Sequence, residues 1–156
     1  SHRVPKEVRR VLLPTDLTLE SEKFVMSMTE QAKKWGSELI LFYKQPDPLD
    51  PIIQQGVYSL GGGWVSVQNF IDAEMKRKRQ EIAKLEKMIS NAGVKVRHII
   101  DSSPEGLTES IQRVAAREKT DMVAVLTKSG RVSAAMLGSV ARVLVRDAAV
   151  PVMVRR

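Results

Sequence analysis

Few residues in this chain have the types and spacing that covalent catalysis requires. The sequence contains no cysteine, which excludes thiol nucleophiles, redox dithiols, disulfides and cysteine-ligated zinc. Of its two histidines, only His98 could serve a Ser-His-Asp triad. Because His98 lies in an apolar run, we interpret it as a strand histidine without a catalytic role, and we expect no histidine metal site. These residue types argue against most hydrolytic and redox chemistry.

Binding chemistry has better candidates, and they suit an anion. Lys128 and Arg131 flank Gly130 and could neutralise negative charge, while Ser139 follows Gly138 at a predicted helix start. Lys and Arg number 25 against 18 Asp and Glu, and the net charge of +7 favours encounter with a polyanion. Only three Phe, two Tyr and two Trp are present, too few to interleave for base stacking. We therefore expect no nucleic-acid partner.

Five short runs rich in Val, Ile and Leu are predicted strands that would position these residues. They cover residues 11–13, 39–43, 94–100, 122–126 and 150–154. Four are nearly continuous in apolar residues, which is typical of parallel strands covered by helices on both faces. The third alternates in its first half, which indicates a sheet edge.

Helical periodicity fills the gaps between the strands. The first helix is predicted to end at Gly36 and the second at 91–93, and the basic run 76–79 is interpreted as a solvated face of that second helix. Ser103 is predicted to cap a third helix with Pro104 at its first position, and a fourth helix is predicted to start near Gly138. This order predicts one α/β domain over 1–156 with a doubly wound five-stranded parallel sheet, strand order 3-2-1-4-5, similar to flavodoxin and Rossmann folds.

Ligands of such sheets bind beyond the carboxyl ends of the strands, so the relevant loops begin at Pro14, Lys44, Asp101 and Thr127. The segment 45–68 is predicted to be a long variable loop, either a flap over the site or a passive surface loop. It has a P-loop spacing of glycines, but Gly62-Gly63 replace the required Lys and Ser/Thr, so a P-loop is rejected.

Three segments together resemble the universal stress protein family. Residues 11–16, ending in Pro14-Thr15-Asp16, resemble the family's first strand and the Pro-Thr-Asp that follows it. Residues 94–104 resemble its third strand and the turn before a proline. Gly130, the Gly138-Ser139-Val140 stretch and residues 150–154 resemble its glycine loop, fourth helix and last strand. The similarity covers nearly the whole chain except about 45–68.

The resemblance implies a nucleotide site that departs from the family pattern. Asp16 occupies the place of the aspartate that contacts the nucleoside in ATP-binding members, and Gly130 and Gly138-Ser139 match glycines that wrap the phosphates. Thr127 stands where the first loop glycine belongs, the loop is two residues short, and Lys44 replaces a small apolar residue against the adenine.

We therefore predict a regulatory stress-response protein with a degraded, weak nucleotide-phosphate site. The predicted site comprises residues from four loops: Pro14, Thr15, Asp16, Lys44, Thr127, Lys128, Gly130, Gly138, Ser139 and Val140. No cofactor is required, and ATP or another adenine nucleotide would bind with low affinity. The alternative is a fully functional ATP-binding member, including one that hydrolyses ATP slowly, although no residue is placed as a general base.

A phospho-receiver domain is a competing class with the same topology. Asp16, Asp101 and Thr127 match its arrangement, but Thr15 stands where a second acidic residue is needed for Mg²⁺, and no Lys follows the fifth strand.

Assembly and location also follow as expectations. The last strand, with Val150, Val152, Met153 and Val154, would be a sheet edge with unpaired backbone groups, and the resemblance implies a homodimer through it. No apolar run approaches the roughly 18 residues of a membrane span and no secretory signal is visible, so we expect a cytoplasmic protein without membrane insertion.

Overall fold

The sheet of this protein is parallel and has five strands in the order β3-β2-β1-β4-β5. The computed structural model describes residues 7–46, 55, 59–61, 63–126 and 151–155. The strands are β1 (Arg10–Pro14), β2 (Glu38–Lys44), β3 (Val96–Asp101), β4 (Met122–Leu126) and β5 (Val152–Arg155). The helices in this part are α1 (Leu19–Trp35), α2 (Trp64–Asn91) and α3 (Leu107–Arg117). The predicted doubly wound α/β sheet is confirmed.

Two apolar layers hold the helices against the sheet. Alternating residues of β1 face opposite sides, so Val11 and Leu13 pack in the layer under α1 and α2 while Leu12 packs under α3. All three side chains are fully buried, and each contributes about 1.5–3 kcal/mol relative to an exposed one. Helices on both faces explain why β1, β2 and β4 are apolar without alternation.

The first helix begins and ends where its sequence signals indicate. The Thr18 hydroxyl accepts a hydrogen bond from the Ser21 N–H, which makes Thr18 the N-cap of α1. Gly36 ends the helix in the left-handed conformation, with a φ of 70° that side chains with a Cβ rarely adopt. None of the helices in the described ranges combines the length and hydropathy of a bilayer span.

Three predicted boundaries are wrong. The helix α3 begins at Leu107 with Gly106 as N-cap, and not at Ser103. Ser103 does not cap this helix because its carbonyl accepts a hydrogen bond from Lys44 and its hydroxyl donates to Asp101. The helix α2 already begins at Trp64, so residues 64–68 are helical and do not belong to the loop predicted over 45–68. The last strand runs from Val152 to Arg155 rather than over 150–154, and Val150 lies outside the described residues, as does the helix predicted from Gly138.

Replacing Gly36 by Ala should lower the free energy of unfolding by about 1–2 kcal/mol, because alanine resists the positive φ of this position. No atom lies within 4 Å of an ideal Cβ there, so the loss would report backbone strain and not a clash. Gly36→Asn is the matched control, since asparagine tolerates the left-handed region better. Urea unfolding of both variants measures the difference, and an equal or larger loss for Gly36→Asn would contradict this explanation.

Candidate functional site

The carboxyl ends of β1, β2 and β3 meet at one edge of the sheet. Lys44 stands opposite Asp101 in the β2–β3 register, and Pro14 stands opposite Phe42 in the β1–β2 register. Thr15 continues the β1 ladder, because its N–H donates to the Phe42 carbonyl at 2.9 Å. Four predicted site residues, Pro14, Thr15, Asp16 and Lys44, therefore lie at this edge.

The turn between β1 and α1 is held by its own polar groups. The Thr15 hydroxyl oxygen accepts the Leu17 N–H at 3.0 Å and lies 2.7 Å from the Ser21 hydroxyl. Both hydroxyls are buried, and together they join the end of β1 to the first turn of α1. Leu17 has a φ of 62°, an uncommon conformation for a residue other than glycine.

Asp16 stabilises the helix entry with one of its carboxylate oxygens. Asp16 Oδ1 accepts the Thr18 N–H at 3.0 Å and the Thr18 hydroxyl at 2.7 Å. This is an Asx turn that orients the N-cap residue. Among the residues that the structure describes, none donates to Oδ2, and the side chain is partly buried. The carboxylate is thus fixed in direction and keeps one oxygen for another partner.

Lys44 is bound toward β3 and α3. Its ammonium lies 2.7 Å from Asp101 Oδ2, 2.8 Å from the Ser103 carbonyl, 3.0 Å from the Ser103 hydroxyl and 2.7 Å from the Ser110 hydroxyl. Only 17% of the side chain is exposed. The three N–H donors of the ammonium have four acceptors within reach, so Lys44 has no donor left over.

Asp101 binds a second cation with its other oxygen. Arg113 donates to Asp101 Oδ1 at 2.7 Å and also contacts Glu105. Burial alone would raise the pKa of the Asp101 carboxyl, but hydrogen bonds from Lys44, Ser103 and Arg113 outweigh it and hold that pKa well below its usual range. Two cations and two carboxylates form this cluster, so its formal charge at neutral pH is zero.

Tyr43 lies on the opposite face of β2 from Lys44, buried in the apolar layer under α1 and α2. Its pKa is raised above the usual value first by burial and then by the carboxylates of Glu74 and Glu81. The phenol is therefore neutral at pH 7 and can act as a hydrogen-bond donor at the edge of the site.

The described part of this edge supplies hydrogen bonds and charge but no group of three metal-ligating side chains. His98 lies on the edge strand β3, where its Nδ1 contacts Glu86. The interpretation of His98 as a strand residue agrees with this placement. The six predicted site residues of the fourth loop lie outside the described residues: Thr127, Lys128, Gly130, Gly138, Ser139 and Val140.

A family model decides the relationship of this chain to known proteins. The model described as "Universal stress protein family" matches residues 7–156. The chain belongs to the universal stress protein family. No curated protein sequence matches it significantly.

Solved structures of other universal stress proteins share this fold. UspA from Lactobacillus plantarum has a TM-score of 0.72 at 14% identity, covering 97% of this chain and 100% of that one. A family member from Burkholderia pseudomallei has a TM-score of 0.70 at 18% identity, covering 96% and 97%. A universal stress protein from Archaeoglobus fulgidus in complex with dAMP has a TM-score of 0.62 at 15% identity, covering 96% and 98%. At these identities the likeness establishes the fold alone.

The sequence interpretation missed three residues of the Lys44 cluster in this universal stress protein: Glu105, Ser110 and Arg113. Ser110 is a fully buried polar residue between apolar neighbours on α3. A polar residue on an apolar helix face signals a buried partner, and that signal was available. Arg113 gives no comparable sequence signal, because a single arginine on a helix is usually exposed to solvent and does not indicate a specific partner.

Replacing Asp101 by Asn should lower the free energy of unfolding at pH 7 by about 3 kcal/mol, because it leaves the mostly buried Lys44 ammonium without its counter-charge. The folded pKa of Asp101 is depressed, so its contribution is fully present above the unfolded pKa of about 4 and is lost as the pH falls below it. The difference between the two proteins should therefore shrink from pH 5 toward pH 2. Denaturant unfolding across this range measures it.

Asp72→Asn is the control for this experiment, since Asp72 is exposed on α2 and undergoes the same chemical change. We expect it to alter stability by less than about 0.5 kcal/mol. A loss at Asp101 that is no larger than at Asp72, or that is independent of pH, would contradict the assigned role of the cluster.

Proposed function

We propose that this universal stress protein is a regulatory protein that binds an adenine nucleotide weakly at the carboxyl edge of its sheet. The observation that carries the proposal is the geometry of Asp16, whose Oδ1 is fixed by Thr18 while Oδ2 has no partner in the described ranges. A carboxylate oriented in this way can accept hydrogen bonds from the hydroxyls of a nucleoside. The structural neighbour in complex with dAMP supports an adenine nucleotide as the ligand class.

The state of Lys44 supports weak binding. Its ammonium is engaged by Asp101, Ser103 and Ser110, so it adds little attraction for a phosphate group. A ligand that recruited Lys44 would have to break an ion pair that is only 17% and 11% exposed, and partly buried charges lose much when a partner is removed. The ammonium is directed toward α3, yet the aliphatic stem still occupies the β2 end, where the family resemblance implies a small side chain against the adenine.

In this proposal the phosphates of the ligand bind to the fourth loop, which begins at Thr127. Gly138 and Ser139 would donate backbone N–H groups at a helix start, and Lys128 would add positive charge. The shorter loop with Thr127 in place of glycine would present fewer N–H groups, which again lowers the affinity.

Calorimetric titration with ATP should give a dissociation constant of roughly 100 µM or weaker, because two or three charge-assisted contacts are missing. Asp16→Asn should weaken binding by a further factor of about ten while the melting temperature changes little, since the amide oxygen can still accept from Thr18. Asp72→Asn serves as the control and should bind like the parent. ATP that copurifies with the protein, or low-micromolar affinity that survives Asp16→Asn, would favour a fully functional ATP site instead.

We further propose a homodimer formed by pairing two copies of β5. This strand is an edge of the sheet, and Val154 is 42% exposed on it. The Val123 N–H donates to the Pro151 carbonyl, so in a parallel ladder the Met153 N–H returns to β4. The N–H of Val154 then points away from the sheet and is available to a second copy.

Replacing Val154 by Pro should shift the protein from dimer to monomer in sedimentation or light scattering at micromolar concentration. Proline removes the outward N–H of this position but none that pairs with β4, so the monomer should stay folded. Val154→Thr keeps the N–H and a β-branched side chain and should remain dimeric. A parent protein that is monomeric at these concentrations, or a Val154→Pro variant that stays dimeric, would contradict the proposed interface.

A further inference from the structure

A described cleft lies at the amino end of the sheet, opposite the candidate nucleotide site. Its volume is about 400 Å³, within the range of small-molecule sites. Its walls come from the start of β1, the ends of α1 and α2, and the segment before β3. The charged residues that line it are Arg9, Arg10, Lys33, Glu38 and Lys95.

These side chains leave an excess of positive charge. Arg9 is offset by Glu7, with which it forms an exposed pair at 3.1 Å. Arg10, Lys33 and Lys95 remain against the single carboxylate of Glu38, a net formal charge of +2. In the described part of the chain Lys33 has no ion-pair partner.

Glu38 cannot neutralise this charge, because several cations share it. Its oxygens lie 3.6 Å from Arg10 Nε, 3.5 Å from Lys95 Nζ and 3.4 Å from Arg97 Nε. All three distances exceed the roughly 2.7–2.9 Å of a strong charge-assisted hydrogen bond. The carboxylate is only 12% exposed, so it orients the cations from below. Arg10 also donates to the Glu118 carbonyl at 3.1 Å and Arg97 contacts the Glu118 carboxylate, whereas the Lys95 side chain is 83% exposed and can turn its ammonium to a ligand.

The two helix ends at the cleft oppose an anion, but they do not outweigh the side chains. Each helix C-terminus carries about half a negative charge. The end carbonyls are also partly satisfied, because the Ser37 N–H donates to Ala32 at 2.9 Å and the Val94 N–H donates to Ile89 at 3.3 Å. Gly36 and Gly93, the glycines that end these helices, have open space where a side chain would stand, which keeps the cleft accessible.

We propose that this cleft is a second binding site, for a linear polyphosphate anion. The cations come from three separate elements, and a chain of phosphates can contact several of them at once. Arginine and lysine together suit phosphate oxygens, arginine through its planar donor fork and lysine as a point charge. The shared chemistry is a run of phosphoryl groups, carried either by inorganic polyphosphate or by the tail of a nucleotide.

The test is calorimetric titration of the full chain with inorganic tripolyphosphate at low salt. The double variant Lys33→Gln, Lys95→Gln should bind about tenfold more weakly than the parent, because each lost charge removes a contact. Lys84→Gln, Lys87→Gln makes the same charge change on the exposed face of α2 and should alter affinity by less than about twofold. Equal weakening in both double variants, or no binding to the parent, would overturn the proposal.

The position of binding provides a second readout. Tripolyphosphate should shift the amide resonances of Gly36, Ser37, Gly93 and Val94, and the double variant Lys33→Gln, Lys95→Gln should lose most of these shifts while Lys84→Gln, Lys87→Gln keeps them. Displacement by ATP but not by adenosine would assign the phosphate chain to a nucleotide tail, and persistence in ATP would assign it to inorganic polyphosphate. Shifts confined to residues 15–18 would refute the site and place the anion at the opposite edge, so this outcome is distinguishable from failure of nucleotide binding.

Discussion

Two ion pairs at opposite ends of one sheet face support the register of β3 against β2. Glu38 begins β2 on this face and lies 3.4 Å from Arg97, while Lys44 ends it and lies 2.7 Å from Asp101. The signs are reversed along the two strands, so only one parallel alignment satisfies both pairs. Because side chains alternate between faces, a slip of one residue would send these charges into the apolar layer under α1 and α2. Because β3 is an edge strand and pairs with β2 alone, it has no second neighbouring strand that could help to fix its register.

The same two pairs give the edges of the sheet different electrostatic character. At the carboxyl edge, Lys44 and Arg113 are matched by Asp101 and Glu105, and the cluster is closed and neutral. At the amino edge, several cations share Glu38, and the excess positive charge stays exposed. Sheets of this topology bind ligands at the carboxyl edge. Part of the net positive charge of this chain therefore lies at the opposite edge of the sheet, away from that site.

The sequence predicts what depends on local signals and misses what depends on distant partners. The positions of the five strands follow from apolar runs, and the end of α1 follows from Gly36, because apolar patterning and glycine conformation are local properties. Ser103 is an equally good N-cap candidate by local sequence. In the structure, however, Lys44, which lies 59 residues earlier, donates hydrogen bonds to both the carbonyl and the hydroxyl of Ser103. No spacing rule connects two residues so far apart. The start of α3 and the complete cluster around Lys44 can therefore be identified only from the folded structure.

The turn after β1 shows that the direction of Asp16 is a property of the folded chain. Leu17 is held at a positive φ that costs about 1–2 kcal/mol, and such strain persists only where the surroundings fix it. Here the Thr15 hydroxyl binds the Leu17 N–H, Asp16 binds Thr18, and the Leu17 side chain packs against the core. A ligand would therefore meet an ordered carboxylate and would lose little free energy in orienting it. In the proposed nucleotide site the neighbouring strand would limit affinity, because the cation that ends β2 is already bound to its own partners.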